Sequence, residues 1–257
     1  MDPATLPVIL TYHSISEGPS PTQISAELFA EQMQWLHDNT RVAPLSEVVA
    51  ALLSHTRLPE RTVALTFDDG YRDFYFSAAP LLRRLKMPAT IFLPTGLCSA
   101  TQSRPANGSW HPEHPLLDWP QVAELAREGF AFGAHSVTHP VLPELQHEQA
   151  HHEIAAGKIE LEKHTGQKAE FFAYPYGRWN DSVRTLVRQH YRAACSTGAG
   201  VVLPESDPFA LPRVDAHYLR RPAALRMIFT APFLAYVATR RLIRRLRRQP
   251  EGIYATV

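Results

Sequence analysis

The sequence predicts an α/β fold, a mainly parallel sheet whose strands alternate with helices. Three observations carry this. Short apolar runs rich in β-branched and aromatic residues recur along the chain. Amphipathic stretches of helical period lie between them. The most polar clusters follow directly after the runs. A chain of 257 residues is long enough for one substantial core, and a single α/β barrel of roughly 250 residues is a natural way to use it. An open doubly wound sheet also places its chemistry beyond the strand ends, so the pattern alone leaves both architectures open.

The strand-like runs are Val8–Tyr12, 63–67, Ala89–Leu93, 130–133, 170–174 and 191–195. Helix-like stretches cover 26–38, Leu45–Leu53, 75–85, 121–128, 144–164 and Asp181–His190. In the second of these, Leu45, Val48, Val49, Leu52 and Leu53 make one helical stripe. In the last, Asp181 stands as a cap ahead of Val183, Leu186 and Val187. The segment 95–119 reads as an irregular loop holding Trp110 and Trp119, and so long a loop points to a substrate-facing flap or a passive insertion. Its tryptophans could stack on sugar rings or simply pack.

The whole-chain charge of +1 carries no information about partners, and no nucleic acid is expected among them. Locally, six of the nine residues in 240–248 are arginine, without a single acid. Helical apolar spacing at Leu234, Val237, Ala238, Leu242 and Leu246 leads into this stretch. It reads either as a helix lying on anionic lipid or as a terminal helix packed on the core, its arginines solvated near the C-terminus. Domain limits follow: 1–221 as the catalytic unit, 222–257 as an arginine-rich amphipathic helix and tail. Cys98 and Cys195 are too few to form a disulfide framework, and no Cys-x-x-Cys pair is present. The first residues lack a basic region followed by an apolar one, and no window reaches the ~18–20 apolar residues of a membrane span. The expected location is the cytoplasm, with contact at the inner face of the membrane.

Two motifs point to chemistry. In the first, the strand ending at Phe67 stops abruptly at Asp68-Asp69-Gly70. Gly70 permits a sharp turn, and the two acids serve either a reactive site or the cap of the next helix. In the second, His135 and His139 follow another strand run, ahead of Pro140. Histidines four apart share a face if the segment makes a helical turn. Set beside Asp69, they offer two imidazoles and a carboxylate, a set that suits a catalytic divalent ion with an open position. A third element, Tyr174-Pro175-Tyr176-Gly177, forms a rigid turn whose aromatics either wall a sugar or acetyl pocket or simply end a hydrophobic strand.

These motifs, in this order, resemble the polysaccharide deacetylase family with its NodB-homology domain. Thr66-Phe67-Asp68-Asp69-Gly70 is similar to the family's first motif, 135–140 to its second and 174–177 to most of its third. The stretches Leu10-Thr11-Tyr12-His13-Ser14 and Gln32-Met33-x-Trp35-Leu36 resemble the branch acting on bacterial poly-N-acetylglucosamine and other exopolysaccharides, holdfast polysaccharide among them. The resemblance implies a distorted, incomplete (β/α)7 barrel. It implies Asp68 as catalytic base, and Asp69, His135 and His139 as ligands of a divalent metal, most often Zn2+. The Tyr176 backbone N–H would serve the oxyanion, with Pro175, Tyr174 and Trp119 as further substrate contacts. Two departures stand out. The family's bracing arginine is replaced by Ala173, which makes Arg213 the candidate brace for Asp68. The family's histidine acid has no clean copy, and His217 is the nearest candidate. The implied reaction is metal-dependent removal of N-acetyl groups from N-acetylhexosamines of an exopolysaccharide or lipid-linked oligosaccharide. The alternatives are an O-deacetylase and a non-catalytic carbohydrate-binding protein on the same fold. A homodimer is a further expectation.

Overall fold

The computed structural model describes residues 2–98 and 115–246. The central part of the expected flap, with Trp110, lies outside the described residues, as do Arg247, Arg248 and the tail beyond them.

Among the described residues, the chain runs β1 (Val8–Tyr12), α1 (Ala26–Asn39), β2 (Arg41–Val42), α2 (Leu45–Leu53) and β3 (Thr62–Phe67). A short π-helical turn, Phe74–Ala78, leads into α3 (Ala79–Arg84), then β4 (Ala89–Leu93), α4 (Trp119–Arg127) and β5 (Ala131–Ala134). There follow α5 (His147–Thr165), β6 (Phe171–Ala173), α6 (Asp181–His190), β7 (Ala193–Ala199), β8 (Leu211–Asp215), α7 (Pro222–Arg226) and α8 (Ala231–Leu246).

Every strand pairing is parallel. The decisive one is β1, which pairs β3 along its whole length and β8 through Leu10↔Val214 and Thr11↔Asp215. That double pairing closes β1 and β3 to β8 into a seven-stranded barrel and removes the open-sheet alternative. The two-residue β2 pairs Thr62 and Val63, at the end of β3 that β4 does not reach. The distortion sits on one side: β5 and β6 share only Ala134↔Phe172, and the β7–β8 register shifts between Cys195 and Ala199.

Strand periodicity explains both cores. Val8, Leu10 and Tyr12, with Val63, Leu65 and Phe67, face the helices and join the larger cluster. Ile9, Ala64, Phe92, Ala173, Cys195 and Leu211 point inward and form the smaller one. The stripe Leu45, Val48, Val49 and Leu52 of α2 belongs to this inner cluster, so α2 plugs one end of the barrel. At the other end the inward positions turn polar: Thr11, Thr66 and Arg213 are all buried. Gly133 makes room there, since a Cβ would sit 2.4 Å from the Phe92 ring.

The predicted C-terminal helix exists as α8, and it packs on the barrel. Phe233 and Val237 lie in the larger core cluster, whereas Leu242 and Ile243 are exposed. Among the described residues no helix is long and apolar enough to cross a membrane.

Candidate active site and metal centre

All strands point the same way, so the segments after β1, β3, β5, β6 and β8 meet at one mouth. Period two in β3 carries the inward line Ala64, Thr66 on to Asp68. The line Leu211, Arg213 does the same in β8. The two side chains therefore meet inside the barrel, 145 residues apart in sequence. Arg213 Nη1 donates to Asp68 Oδ1 at 2.8 Å and Nη2 to Oδ2 at 2.6 Å. The guanidinium is further tied by Nε to the Ser196 carbonyl at 3.0 Å and by Nη1 to Thr66 Oγ1 at 3.2 Å, and it lies over the Phe92 ring. Both partners are almost fully buried. Burial alone pushes the Asp68 carboxyl up, but the charge and hydrogen bonds of Arg213 outweigh it and hold the group below its ordinary value.

Asp69 turns the other way. Its φ of 69° and that of Gly70 at 64° make consecutive left-handed residues. A side chain at position 70 would also meet Leu93 Cδ2 at 2.4 Å, so glycine is required there. The turn brings Asp69 Oδ1 to 3.3 Å from both His135 Nε2 and His139 Nε2, which are themselves 3.2 Å apart. All three residues are buried. Burial opposes the Asp69 charge, yet hydrogen bonds from the two imidazoles keep its carboxyl well below the usual range. For His135, burial is outweighed by Asp69 and Asp68 and the pKa rises. For His139, burial prevails and it falls.

The histidines do not share a helical turn, the condition under which residues four apart would share a face. They lie on a loop in which Ser136 has φ 67° and His139 has φ 59°. The loop is held by hydrogen bonds. Ser136 Oγ accepts from the His139 N–H at 2.9 Å. Glu153 of α5 accepts from the N–H groups of Val137 and Thr138, both at 2.8 Å, and from the Thr138 hydroxyl at 2.7 Å. His135 Nδ1 donates to the Ala173 carbonyl at 2.7 Å, which turns Nε2 toward Asp69.

The donor set fits a divalent ion. Bonds of about 2.0–2.1 Å in a tetrahedral site set ligand atoms roughly 3.3–3.4 Å apart. The three distances here, 3.2, 3.3 and 3.3 Å, match that edge length. Two imidazoles and a carboxylate favour zinc and its first-row neighbours over magnesium or calcium.

A family model described as polysaccharide deacetylase matches residues 55–194, more than half of the chain. The chain belongs to the polysaccharide deacetylase family. A relative from Bacillus subtilis, called putative polysaccharide deacetylase YxkH, is 31% identical over 214 residues, 82% of this chain and 71% of that one. The poly-beta-1,6-N-acetyl-D-glucosamine N-deacetylase of Staphylococcus epidermidis is 26% identical over 203 residues, covering 74% of this chain and 67% of its own. Among solved structures, IcaB from Ammonifex degensii superposes with a TM-score of 0.74 at 26% identity, over 91% of this chain and 97% of that one.

Within this deacetylase fold the remaining expected residues divide. Tyr176 has φ 57°, and its ring packs edge-on to His139 at 4.6 Å, which brings the Pro175–Gly177 turn to the histidine cluster. Tyr174 does not line the mouth. It is buried among Phe172 and Trp179, and its hydroxyl donates to the Phe209 carbonyl at 2.9 Å. Trp119 starts α4 and stacks on His164 of α5, 4.0 Å between ring centres, so it packs the helix layer. His217 lies just beyond β8, its N–H bound to Asp215 Oδ1 at 2.8 Å and its ring 5.5 Å from that of Tyr218. The residue that sequence reasoning passed over is His13. It directly follows β1 and acts electrostatically on both Asp68 and Asp69. Its signal was available: a polar residue immediately after a strand, as with Asp68 and His135.

Proposed function

We propose that this protein is a metal-dependent N-deacetylase that hydrolyses N-acetyl groups on N-acetylhexosamine residues of a bacterial exopolysaccharide and releases acetate. One observation carries the reading: a buried, arginine-clamped carboxylate adjoins a buried Asp-His-His triad at the open end of the barrel. The S. epidermidis relative, named for N-deacetylation of poly-beta-1,6-N-acetyl-D-glucosamine, supports the substrate class.

Asp69, His135 and His139 would hold the ion, zinc in this reading. When bound, it supplies Lewis acidity toward the acetyl carbonyl and toward a water molecule. Asp68 accepts the proton of the attacking water. Arg213 fixes both Asp68 oxygens and keeps the group ionised, so that a base is present at neutral pH. The backbone N–H of Tyr176 donates to the oxygen on which charge develops. Proton donation to the leaving amine is assigned to His13, because it directly follows β1 at the mouth and its charge lowers the carboxyls of both Asp68 and Asp69; His217 is the comparison residue. The clamp on Asp68 favours an enzyme over a non-catalytic binder, since the brace lost at Ala173 is supplied from β8.

The test is acetate release from N-acetylglucosamine oligomers, with O-acetylated sugars run alongside. Activity should vanish on chelation and return with zinc. Asp68→Asn should retain the metal and lose at least about a hundredfold in rate, in line with a proton-transfer role. Full activity in that variant would remove Asp68 as the base. Loss in His13→Gln with retention in His217→Gln is the pattern expected for the acid.

The proposal includes a place of action: the inner face of the cell membrane, with the arginine-rich sequence 240–248 as the part that meets anionic lipid. The exposed Leu242 and Ile243 beside Arg241 support it.

A further inference from the structure

Away from the barrel mouth, α5 and α6 bring together a second pair of imidazoles. His151 lies one turn into α5 and His190 is the last residue of α6. Their Nε2 atoms are 3.2 Å apart and their ring centres 5.1 Å apart, the planes tilted by 55°. His151 is exposed and His190 half-buried, so the pair opens to solvent.

This separation equals that between His135 and His139. It is also close to the edge of roughly 3.3–3.4 Å expected between two nitrogens on one tetrahedral ion. A bond between two neutral imidazoles uses one proton and one lone pair. A cation uses both lone pairs, and neither ring has to move far to offer them. Lys158 is the competing cation. Its ammonium is already bound by Glu162 Oε1 and the Ala169 carbonyl, both at 2.7 Å.

The sequence adds a third imidazole. His147, the first residue of α5, stands four before His151 and shares its helix face. It is exposed.

We infer that His151 and His190 form a second metal site that takes a first-row divalent ion such as zinc, nickel or copper and ties α5 to α6. Imidazole-only donors select these ions over magnesium and calcium, which need oxygen. Water fills the other positions, so the site is weaker than the buried triad. The ion links two helices across the chain between them, and thereby stabilises the fold in proportion to its occupancy.

The experiment is equilibrium dialysis of the full chain against zinc, followed by metal analysis, with nickel-dependent thermal shift as a second reading. The wild type should bind about two zinc ions. The variant His151→Ala/His190→Ala should bind about one, show a smaller nickel-dependent rise in Tm than the wild type, and keep its acetate release. Circular dichroism confirms that the variant is folded, His151 being exposed and His190 half-buried. Zinc bound by the wild type at only one per chain would overturn the inference. So would an unchanged stoichiometry or nickel response in the double variant. The complementary variant Asp69→Asn/His135→Gln should keep the part of the nickel response that the His151→Ala/His190→Ala variant loses, which separates this site from the active centre.

Discussion

Arg213→Met removes the guanidinium while keeping most of the side-chain length. It leaves Asp68, 3% exposed, without its counter-charge or its two hydrogen bonds of 2.8 and 2.6 Å. Breaking a buried ion pair from one side costs about 3–5 kcal/mol, because the remaining charge cannot be rehydrated. The cost has a pH signature. In the wild type the folded carboxyl lies below its unfolded value, so the pair stabilises the fold above the ordinary carboxylate range and loses its effect as pH falls through the folded pKa. In the variant burial is opposed only by the lesser charges of His135 and His13, and the carboxyl rises relative to the wild type. The difference in stability between the two proteins should therefore be largest at neutral pH and shrink in acid. Urea unfolding of the chelator-treated proteins at several pH values measures this. The double variant Arg213→Met/Asp68→Asn should recover most of the loss, since no buried charge is left. A loss under about 1 kcal/mol, or one that does not change with pH, would refute the assignment of Arg213 as the electrostatic partner of Asp68.

Three other perturbations test separate parts of the structure. Glu153→Ala deprives the His135–His139 loop of three hydrogen bonds, and zinc affinity should fall by about 10–100-fold, with Glu153→Gln much milder; equal affinity in all three proteins would mean that the loop holds itself. Burial pushes the thiols of Cys98 and Cys195 up from 9.0 to about 12. They should react with a thiol reagent at pH 8 only after unfolding, and the stability from their neutral form should persist below pH 9 and fade as pH climbs toward 12; rapid labelling of the native protein would contradict the burial. Flotation on anionic liposomes should weaken when the six arginines of 240–248 are neutralised, at about 1 kcal/mol for each one near the surface. An intact protein that fails to float would remove the membrane contact from the proposal.

Much of the fold was legible because periodicity is a local signal. The strands at Val8–Tyr12 and Ala89–Leu93 and the helices Leu45–Leu53 and Asp181–His190 lie where the apolar spacing placed them. β8 was not legible: Pro212, Arg213 and Asp215 leave only Leu211 and Val214 to mark it, since its inward face turns polar after Leu211. β2 is too short to show a period. The closure of the barrel was also hidden, because pairing between β1 and β8 joins residues about two hundred apart. The Asp-His-His cluster followed from residue type and spacing, but its geometry did not. Left-handed residues at 69, 136 and 139, rather than a helical turn, aim the ligands. Aromatic residues misled for a simple reason. Tyr174 and Trp119 have the shape of sugar platforms, yet their surroundings make them packing residues.

The Asp68–Arg213 clasp spans 145 residues and joins β3 to β8, the two neighbours of β1. Asp68 is thus in place early in the chain, but its partner arrives only with the final barrel strand. A nascent chain, or one cut before β8, has the metal ligands and the acid without the group that keeps the acid ionised in its buried setting. For the proposed reaction this makes competence a completion signal: the base assigned to Asp68 is held ionised only when the last stave of the barrel is set.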